Sequence, residues 1–407
     1  MVNFPLMKVI EGKTEIFVPD NNIFKNPYKE STLPKAPVFY NKVMELNRDF
    51  ALAALRTFKK LTTSQKLLYC EPLAGTGIRS VRVANEISDI NVVITDLNPD
   101  AVGLIRENIA NLNLEYNTQV FNEDANVLML RFSAQGNKFD IIDIDPFGSP
   151  APFIDSVAQA LNDNALLAVT STDMATMCGV YQKACIRKYA SKPIRSWIAH
   201  ELAVRMLIGF IAITLARHEK CIQPVFAHST EHYIRVYIIT NKGISEAKES
   251  IDNLCFIAHC LNCFNIDNSI GIINTLQEEC PICHSKRAIG GPFWLGKIYQ
   301  NEFIANLEQE ISSENSLYGT QKRMKKILNC IIDELKANRS PKAMICYYDL
   351  HQIADKLNIP SPKMGSIIFE LISKGFIATK THFRENSIKT DAPVEEIINA
   401  MKKALIK

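Results

Sequence analysis

Four short apolar runs in the first half of the chain, each ending in an acid, constrain its fold more than any other feature. They are Lys66-Leu-Leu-Tyr-Cys-Glu71, Asn91-Val-Val-Ile-Thr-Asp96, Gln119-Val-Phe running into Asn122-Glu-Asp124-Ala125, and Phe139-Asp-Ile-Ile-Asp-Ile-Asp145. Runs of this length, separated by helical patterns, read as buried parallel strands of an open α/β sheet, which binds ligands beyond the carboxyl ends of its strands. After the first run, Pro72-Leu-Ala-Gly75-Thr-Gly77-Ile-Arg79 leads into a helical pattern that extends to about Ile87. Gly75 and Gly77 let the backbone turn sharply and approach a ligand, with helix N–H groups free to meet an anion. Two spaced glycines alone also suit an ordinary loop, and it is their place in the series that gives them weight. Asp96 falls 25 residues after Glu71 (96 − 71), near the spacing at which an acid takes a ribose hydroxyl pair.

The third acid, Asp124, stands where a carboxylate can accept from an adenine amine. Glu71, Asp96, Asp124 and Asp145 together would repel a pyrophosphate, whereas the sulfonium and ammonium cations of S-adenosylmethionine suit them. The fourth strand then breaks into Asp145-Pro146-Phe147-Gly148-Ser149-Pro150. An isolated Asp-Pro can simply end a strand. At this point of the sheet, however, enzymes that methylate a base amine carry an acid or amide, a proline and an aromatic: an acceptor for the amine, a rigid carbonyl and a ring to stack on the extruded base. A carboxylate accepts only, and guanine presents two adjacent donors, N1–H and N2–H, whereas adenine and cytosine each pair a donor with an acceptor. Asp145 therefore points to guanine N2.

With these motifs, the chain resembles the tRNA guanine-26 N2-dimethyltransferases, class I enzymes that use S-adenosylmethionine. Glu11-Gly-Lys-Thr, Val38-Phe39-Tyr40-Asn41, Leu46-Asn47-Arg48-Asp49, Thr76-Gly77-Ile78-Arg79, Asp145-Pro146-Phe147-Gly148-Ser149-Pro150 and Thr381-His382-Phe383 carry the likeness over nearly the whole chain. The resemblance implies an α/β fold with a seven-stranded class I methyltransferase sheet. It implies that Arg48, Arg79, Asp96, Asp124 and Ala125 contact the cofactor, with Glu71, Gly75 and Gly77 beside them. It also makes Asp145 catalytic, next to Pro146, and has Phe39 and Phe147 sandwich the target guanine. Ala74-Gly75 departs from the bulkier or different small residues expected in that loop. The implied product is N2-methyl- and N2,N2-dimethylguanine in tRNA.

Downstream of the sheet, Cys260-x-x-Cys263 and Cys280-x-x-Cys283 are separated by 16 residues (280 − 263 − 1), a spacing that folds two knuckles around one tetrahedral ion. Zinc is the expected metal, and a closed set of four thiolates leaves no position for water, so its role is structural. Neighbouring His259 and His284 could replace a cysteine but are not needed. Further on, Asp349-Leu-His-Gln-Ile-Ala-Asp-Lys-Leu357 and the run from Ser361 to Lys374 read as two helices, and the run from Gly375 to Phe383 as a strand, the order of a winged helix. Such modules bind proteins as well as nucleic acid. Residues 318–407 hold 16 Lys+Arg against 9 Asp+Glu, +7, which leaves −4 for the rest of a chain whose net charge is +3. This basic balance suits phosphate contact, and equally a solvated helix face.

The organisation expected is an N-terminal cap over residues 1–60, a catalytic domain over 61–242, a four-cysteine zinc segment over 243–300 and a basic tRNA-binding domain over 301–407. In the catalytic domain a fifth strand is expected over Ala165-Leu-Leu-Ala-Val-Thr170, then a long helix over 195–217 and an antiparallel pair of strands. The longest apolar stretch, Met206 to Ala216, is eleven residues, a buried helix rather than a membrane span. Eleven cysteines, an odd count, without a secretion signal argue for a reducing, cytoplasmic setting. tRNA is the expected partner, with no membrane and no obligate protein partner. Two other readings stay open. An adenine- or cytosine-amine methyltransferase of RNA or DNA would share the sheet but carry Asn or Ser in place of Asp145. A non-catalytic RNA-binding protein would have no reason to keep all four acids.

Overall fold

The computed structural model describes residues 2–24, 36–313, 318–337 and 344–405. The sequence suggests a Pro- and Asn-rich loop through Pro37 within the N-terminal cap, and most of it lies outside these residues. The centre is a seven-stranded sheet whose strands we number in chain order: β1 Leu67–Glu71, β2 Ile90–Thr95, β3 Thr118–Phe121, β4 Phe139–Ile144, β5 Leu161–Ser171, β6 Lys220–Thr230 and β7 Tyr233–Lys242. Their spatial order is 3-2-1-4-5-7-6, with β1 to β5 parallel and β7 antiparallel to both β5 and β6. This is the class I methyltransferase sheet. Val92, Ile94, Ile141, Ile142, Ile144 and the run from Leu166 to Val169 are buried, as strands covered by helices on both faces must be. Because β1 to β4 run parallel, the four acids that follow them emerge at one edge of the sheet.

β5 is longer at both ends than the run from Ala165 to Thr170: Leu161 pairs with Phe139 of β4 and Ser171 with Ile234 of β7. The helix expected over 195–217 spans Ala199–Ala216. It is long and apolar enough to cross a membrane, and most of its residues are buried inside the protein. At the N-terminus, the hairpin of Leu6–Glu11 and Thr14–Pro19 precedes the helix Glu45–Leu61. The sequence suggests that this helix begins at Asn41, but it does not. The Asn41 side chain caps a single 3-10 turn, Lys42–Met44, by accepting from the Val43 N–H at 2.9 Å.

Beyond the sheet, Leu254–His259, Ile266–Ile270 and Ala288–Trp294 form a three-stranded antiparallel sheet with Leu254–His259 in the middle. The C-terminal part carries the helices Gln321–Ala337, Leu350–Leu357, Met364–Ser373 and Val394–Ala404 around a small sheet of Tyr348–Asp349, Ser387–Thr390 and Ala378–Lys380, the winged-helix order. The strand expected from Gly375 to Phe383 is confined to Ala378–Lys380. Thr381, His382 and Phe383 turn inward instead, with Thr381 Oγ1 donating to Glu334 at 2.7 Å and Phe383 stacking on Tyr347. The C-terminal part is tied to the catalytic sheet by polar contacts as well as by a shared apolar core. Asp49 accepts from the Thr320 N–H (2.9 Å) and hydroxyl (2.7 Å), and Lys389 Nζ sits 2.9 Å from Glu201.

Candidate active site

The loop after β1 turns through two left-handed glycines, Gly75 (φ 54°) and Gly77 (φ 72°). At Gly77 a Cβ would come within 2.5 Å of Ile105, so that position admits no side chain. Asp96 closes the loop from β2: one carboxylate oxygen accepts from the Gly75 N–H at 2.8 Å and the other from the Asn98 N–H at 2.9 Å. Each oxygen keeps lone-pair capacity for a further donor such as a ribose hydroxyl. Asp124 is exposed and caps the helix Ala125–Ala134, one oxygen accepting from Asn126 (2.9 Å) and Val127 (3.2 Å), with Ala125 buried behind it. Gly75, Gly77, Asp96, Asp124 and Ala125 thus share the edge where the sequence placed a cofactor.

The other cofactor candidates are paired with side chains of the protein. Glu71 is 3% exposed and faces the helix behind the loop, accepting from the Ser80 N–H at 3.0 Å with Arg79 Nε 3.0 Å away. Burial pushes its carboxyl up to about 7, against the pull of Arg79. Arg79 is also buried, and its guanidinium is divided among Glu71, Asp143 at 3.2 Å and Asp145. Arg48 Nε donates to Glu11 at 2.7 Å and its Nη2 to the Asn41 carbonyl at 3.1 Å, so it fastens the N-terminal hairpin to the helix Glu45–Leu61. Both arginines, expected at the cofactor, are engaged by carboxylates of the protein. A cation buried this deeply requires such partners.

Asp145 stands at the end of β4 with its side chain 17% exposed. Behind it lies a charged chain that the sequence pattern did not reveal. Asp143, fully buried, pairs with Arg79 and with Arg235 Nη2 at 2.6 Å; Arg235 also donates to Thr170 Oγ1 at 2.6 Å and the Tyr237 hydroxyl at 2.7 Å. Burial works against ionising Asp143, but the two guanidinium groups outweigh it and hold its carboxyl below the ordinary value. Asn47 donates to Thr170 Oγ1 at 3.3 Å, while its own side-chain oxygen is buried without a hydrogen bond among the described residues. The signal was present: Asp143 and Arg235 are lone charges inside apolar strands, and a buried charge demands a partner.

Phe147 is 73% exposed, and its ring meets Phe39 edge to face, with centroids 4.7 Å apart at 79°. The two rings are brought together edge to face rather than as two parallel faces. Gly148 anchors the loop of Phe147 to the end of β5, its N–H donating to Thr172 Oγ1 at 2.8 Å and its carbonyl accepting from the Thr172 N–H at 3.0 Å. The Phe39 carbonyl lies 3.6 Å from where a Cβ on Gly75 would stand. The glycine loop, Phe39 and Phe147 therefore lie together beside Asp145.

In the three-stranded module, the sulfurs of Cys260, Cys263, Cys280 and Cys283 all lie within 4.8 Å of one another, with the Cys260–Cys283 and Cys263–Cys280 pairs at 3.5 Å. A tetrahedral zinc with Zn–S bonds near 2.3 Å spaces its sulfurs by about 3.8 Å, so the set fits. Each pair sits on the same kind of turn: the Phe264 N–H donates to the Cys260 carbonyl (2.8 Å) and the His284 N–H to the Cys280 carbonyl (3.0 Å). His259 turns away, with Nδ1 3.1 Å from Ser196 Oγ, and His284 pairs with Glu279 at 2.7 Å.

Sheet order, acidic edge and glycine loop define a class I, S-adenosylmethionine-dependent methyltransferase. Residues 12–402 match the family described as N2,N2-dimethylguanosine tRNA methyltransferase, and the chain belongs to that family. It is 38% identical over 404 residues to a tRNA (guanine(26)-N(2))-dimethyltransferase of Methanobrevibacter smithii, covering 99% of this chain and 98% of that one. With an enzyme of the same name from Methanosphaera stadtmanae it shares 37% over 390 residues, 95% and 94% of the two chains. Its fold matches the complex of Trm1 from Pyrococcus horikoshii with S-adenosyl-L-methionine at a TM-score of 0.83 and 30% identity, covering 97% of this chain and all of that one.

Proposed function

We infer that this chain transfers methyl groups from S-adenosylmethionine to the exocyclic N2 of guanine 26 in tRNA, giving N2-methyl- and then N2,N2-dimethylguanine. The observation that carries the reading is Asp145: a carboxylate at the end of β4, beside an exposed aromatic ring, with one oxygen taken by Arg79. Only an acceptor is offered to the base there, and guanine is the base whose pairing edge presents two adjacent donors.

Gly75, Gly77, Asp96, Asp124 and Ala125 are the residues we assign to the cofactor, which supplies an electrophilic methyl group. Arg48, Arg79 and Glu71 shape that site from behind. The amine of guanine is a poor nucleophile because its lone pair is delocalised into the ring. Asp145 and the rigid Pro146 carbonyl, accepting its protons, localise that pair, while Phe39 and Phe147 hold the ring plane. After one transfer an N–H remains for Asp145, so the same arrangement serves the second. The four parts proposed divide the labour: residues 1–60 cap the site, 61–242 carry it, 243–300 hold zinc, and 301–407 grip tRNA, inside the cell where tRNA is found.

The test is mass spectrometry of nucleosides from unmodified tRNA incubated with protein and cofactor. Methylated guanine at position 26, lost when that guanine is replaced by adenine, supports the reading. Methylation of adenine or cytosine instead would overturn it.

A further inference from the structure

Between β5 and the helix Ala199–Ala216 the chain carries five cations, Lys183, Arg187, Lys188, Lys192 and Arg195, and no acid from Met174 to His200. This strip lies outside residues 318–407, in the part of the chain whose net charge is −4. It is therefore a local concentration of positive charge on an otherwise acidic background.

Both ends of the strip are fastened. At its start, Thr172 exchanges hydrogen bonds with Gly148, in the loop that carries Asp145 and Phe147 (3.0 and 2.8 Å). At its far end, Lys192 and Gly291 exchange backbone hydrogen bonds, both 2.9 Å, and the Ser191 hydroxyl donates to the Pro292 carbonyl at 2.9 Å. The strip thus spans from the base-binding loop to the last strand of the four-cysteine module. Gly179 (φ 92°) lets the chain fold back on itself: a Cβ there would stand 3.0 Å from that of Arg195. The helix Gln182–Tyr189 buries Cys185 and Tyr189 and leaves Lys183, Ile186 and Arg187 exposed. Lys188 is held by Asp173 at 2.6 Å, whereas Lys183, Arg187, Lys192 and Arg195 are in no ion pair among the described residues. Tyr181, 61% exposed, stands among them.

We propose that this strip is the surface that takes the sugar–phosphate backbone beside the target guanine, an inference that rests on the function proposed above. An enzyme that turns one base out of a folded RNA must hold the phosphates next to it. Unpaired lysines and arginines with an exposed aromatic ring provide charge for phosphates and a face for an unstacked base. Fastening at both ends means the cations are held in place before RNA arrives.

The experiment uses the full-length, zinc-loaded protein with Lys183, Arg187, Lys192 and Arg195 all changed to Gln. Binding of tRNA is measured as a function of salt, and KM and kcat are measured on the same tRNA. KM should rise at least tenfold with kcat little changed. The slope of log affinity against log salt should flatten by about 0.7–0.9 for each phosphate no longer neutralised. Tyr181→Ala should weaken binding without altering that slope. Lys242→Gln with Lys248→Gln, which removes charge at the opposite end of β7 and just beyond, should behave as the parent. Cofactor affinity and the urea midpoint of the fourfold variant should match the parent, separating contact from folding. Parental KM and salt slope in that variant, while the parent methylates tRNA guanine, would overturn the proposal and leave the strip to an acidic protein surface. A parent that binds tRNA but methylates no guanine overturns the functional reading instead, and the salt slope still decides the strip.

Discussion

The guanidinium of Arg79 closes on the carboxylate of Asp145 while also holding Asp143, so the group proposed to meet the substrate amine is oriented from behind by a buried cation. The arrangement continues inward through Asp143 to Arg235, and from Arg235 through Thr170 to Asn47. Asp145 is thus the outer end of a buried polar chain rather than a lone residue on a turn. One of its oxygens is fixed by Arg79, and the other is the one we assign to the base.

Changing Asp145 to Asn keeps the shape but turns one acceptor into a donor facing N1–H or N2–H. Methylation should fall by a factor of about 100 or more, from lost proton acceptance and a donor–donor clash, while cofactor binding by calorimetry persists. Phe147→Ala should instead cost about 1–3 kcal/mol of stacking per base, read as weaker RNA binding. Near-parental turnover by Asp145→Asn would mean that edge matching does not select guanine.

Arg235→Gln leaves Asp143 buried with one cation fewer, and breaking a buried pair from one side costs about 3–5 kcal/mol. Urea denaturation should show a loss of that order. Arg235→Lys keeps the charge but loses the fork that reaches Asp143, Thr170 and Tyr237 together, so it should recover only part of the loss. Equal midpoints for parent and Arg235→Gln would remove the pair from the account of stability.

Asp96→Ala removes the acceptor for the Gly75 and Asn98 N–H groups along with the one expected for the ribose. Cofactor affinity should weaken by about 1–3 kcal/mol. Unchanged affinity in a titration would take Asp96 out of the site.

Purified protein should carry about one equivalent of zinc, and Cys260→Ser should release it and loosen residues 254–294 in hydrogen exchange. Folded, active protein free of metal would rule the site out.

His228 is fully buried, with Nδ1 2.8 Å from Thr230 Oγ1 and its ring against Phe50, Phe226 and Tyr233. Burial, then the positive charges of His382 and Arg235, hold its pKa well below the ordinary 6.5. A depressed folded value means that stability is intact above pH 6.5 and is lost as pH falls below it, because only the unfolded chain takes the proton. Between pH 7 and 5.5 this should remove about 1 kcal/mol from the parent that His228→Asn does not lose. Urea midpoints of the two proteins at both pH values decide it; parallel losses would exonerate His228.

Strand positions, the glycine loop, the acidic edge and the cysteine knuckles were legible in the sequence because each rests on short-range regularities: apolar runs that break at an acid, and ligands two residues apart on a turn. Asp145 was legible for the same reason, as the last residue of a strand before a proline. Pairing among charges was not. Asp143 meets Arg235 across 92 residues and Asp49 meets Thr320 across 271, and no local pattern says which buried cation will face which buried acid. That choice also set Arg48 against Glu11 and Arg79 among Glu71, Asp143 and Asp145, since a charge taken from water binds the nearest opposite charge the fold delivers. The edge contact of Phe39 with Phe147 has the same origin: a half-buried ring and an exposed one, far apart in sequence, meet once the glycine loop and the end of β4 are adjacent. Sequence by itself determined the sheet, the acceptor proposed to select the base and the four-cysteine module; only the tertiary structure decided how the charges behind that acceptor are neutralised, because the cost of burying them is settled by partners that come together only on folding.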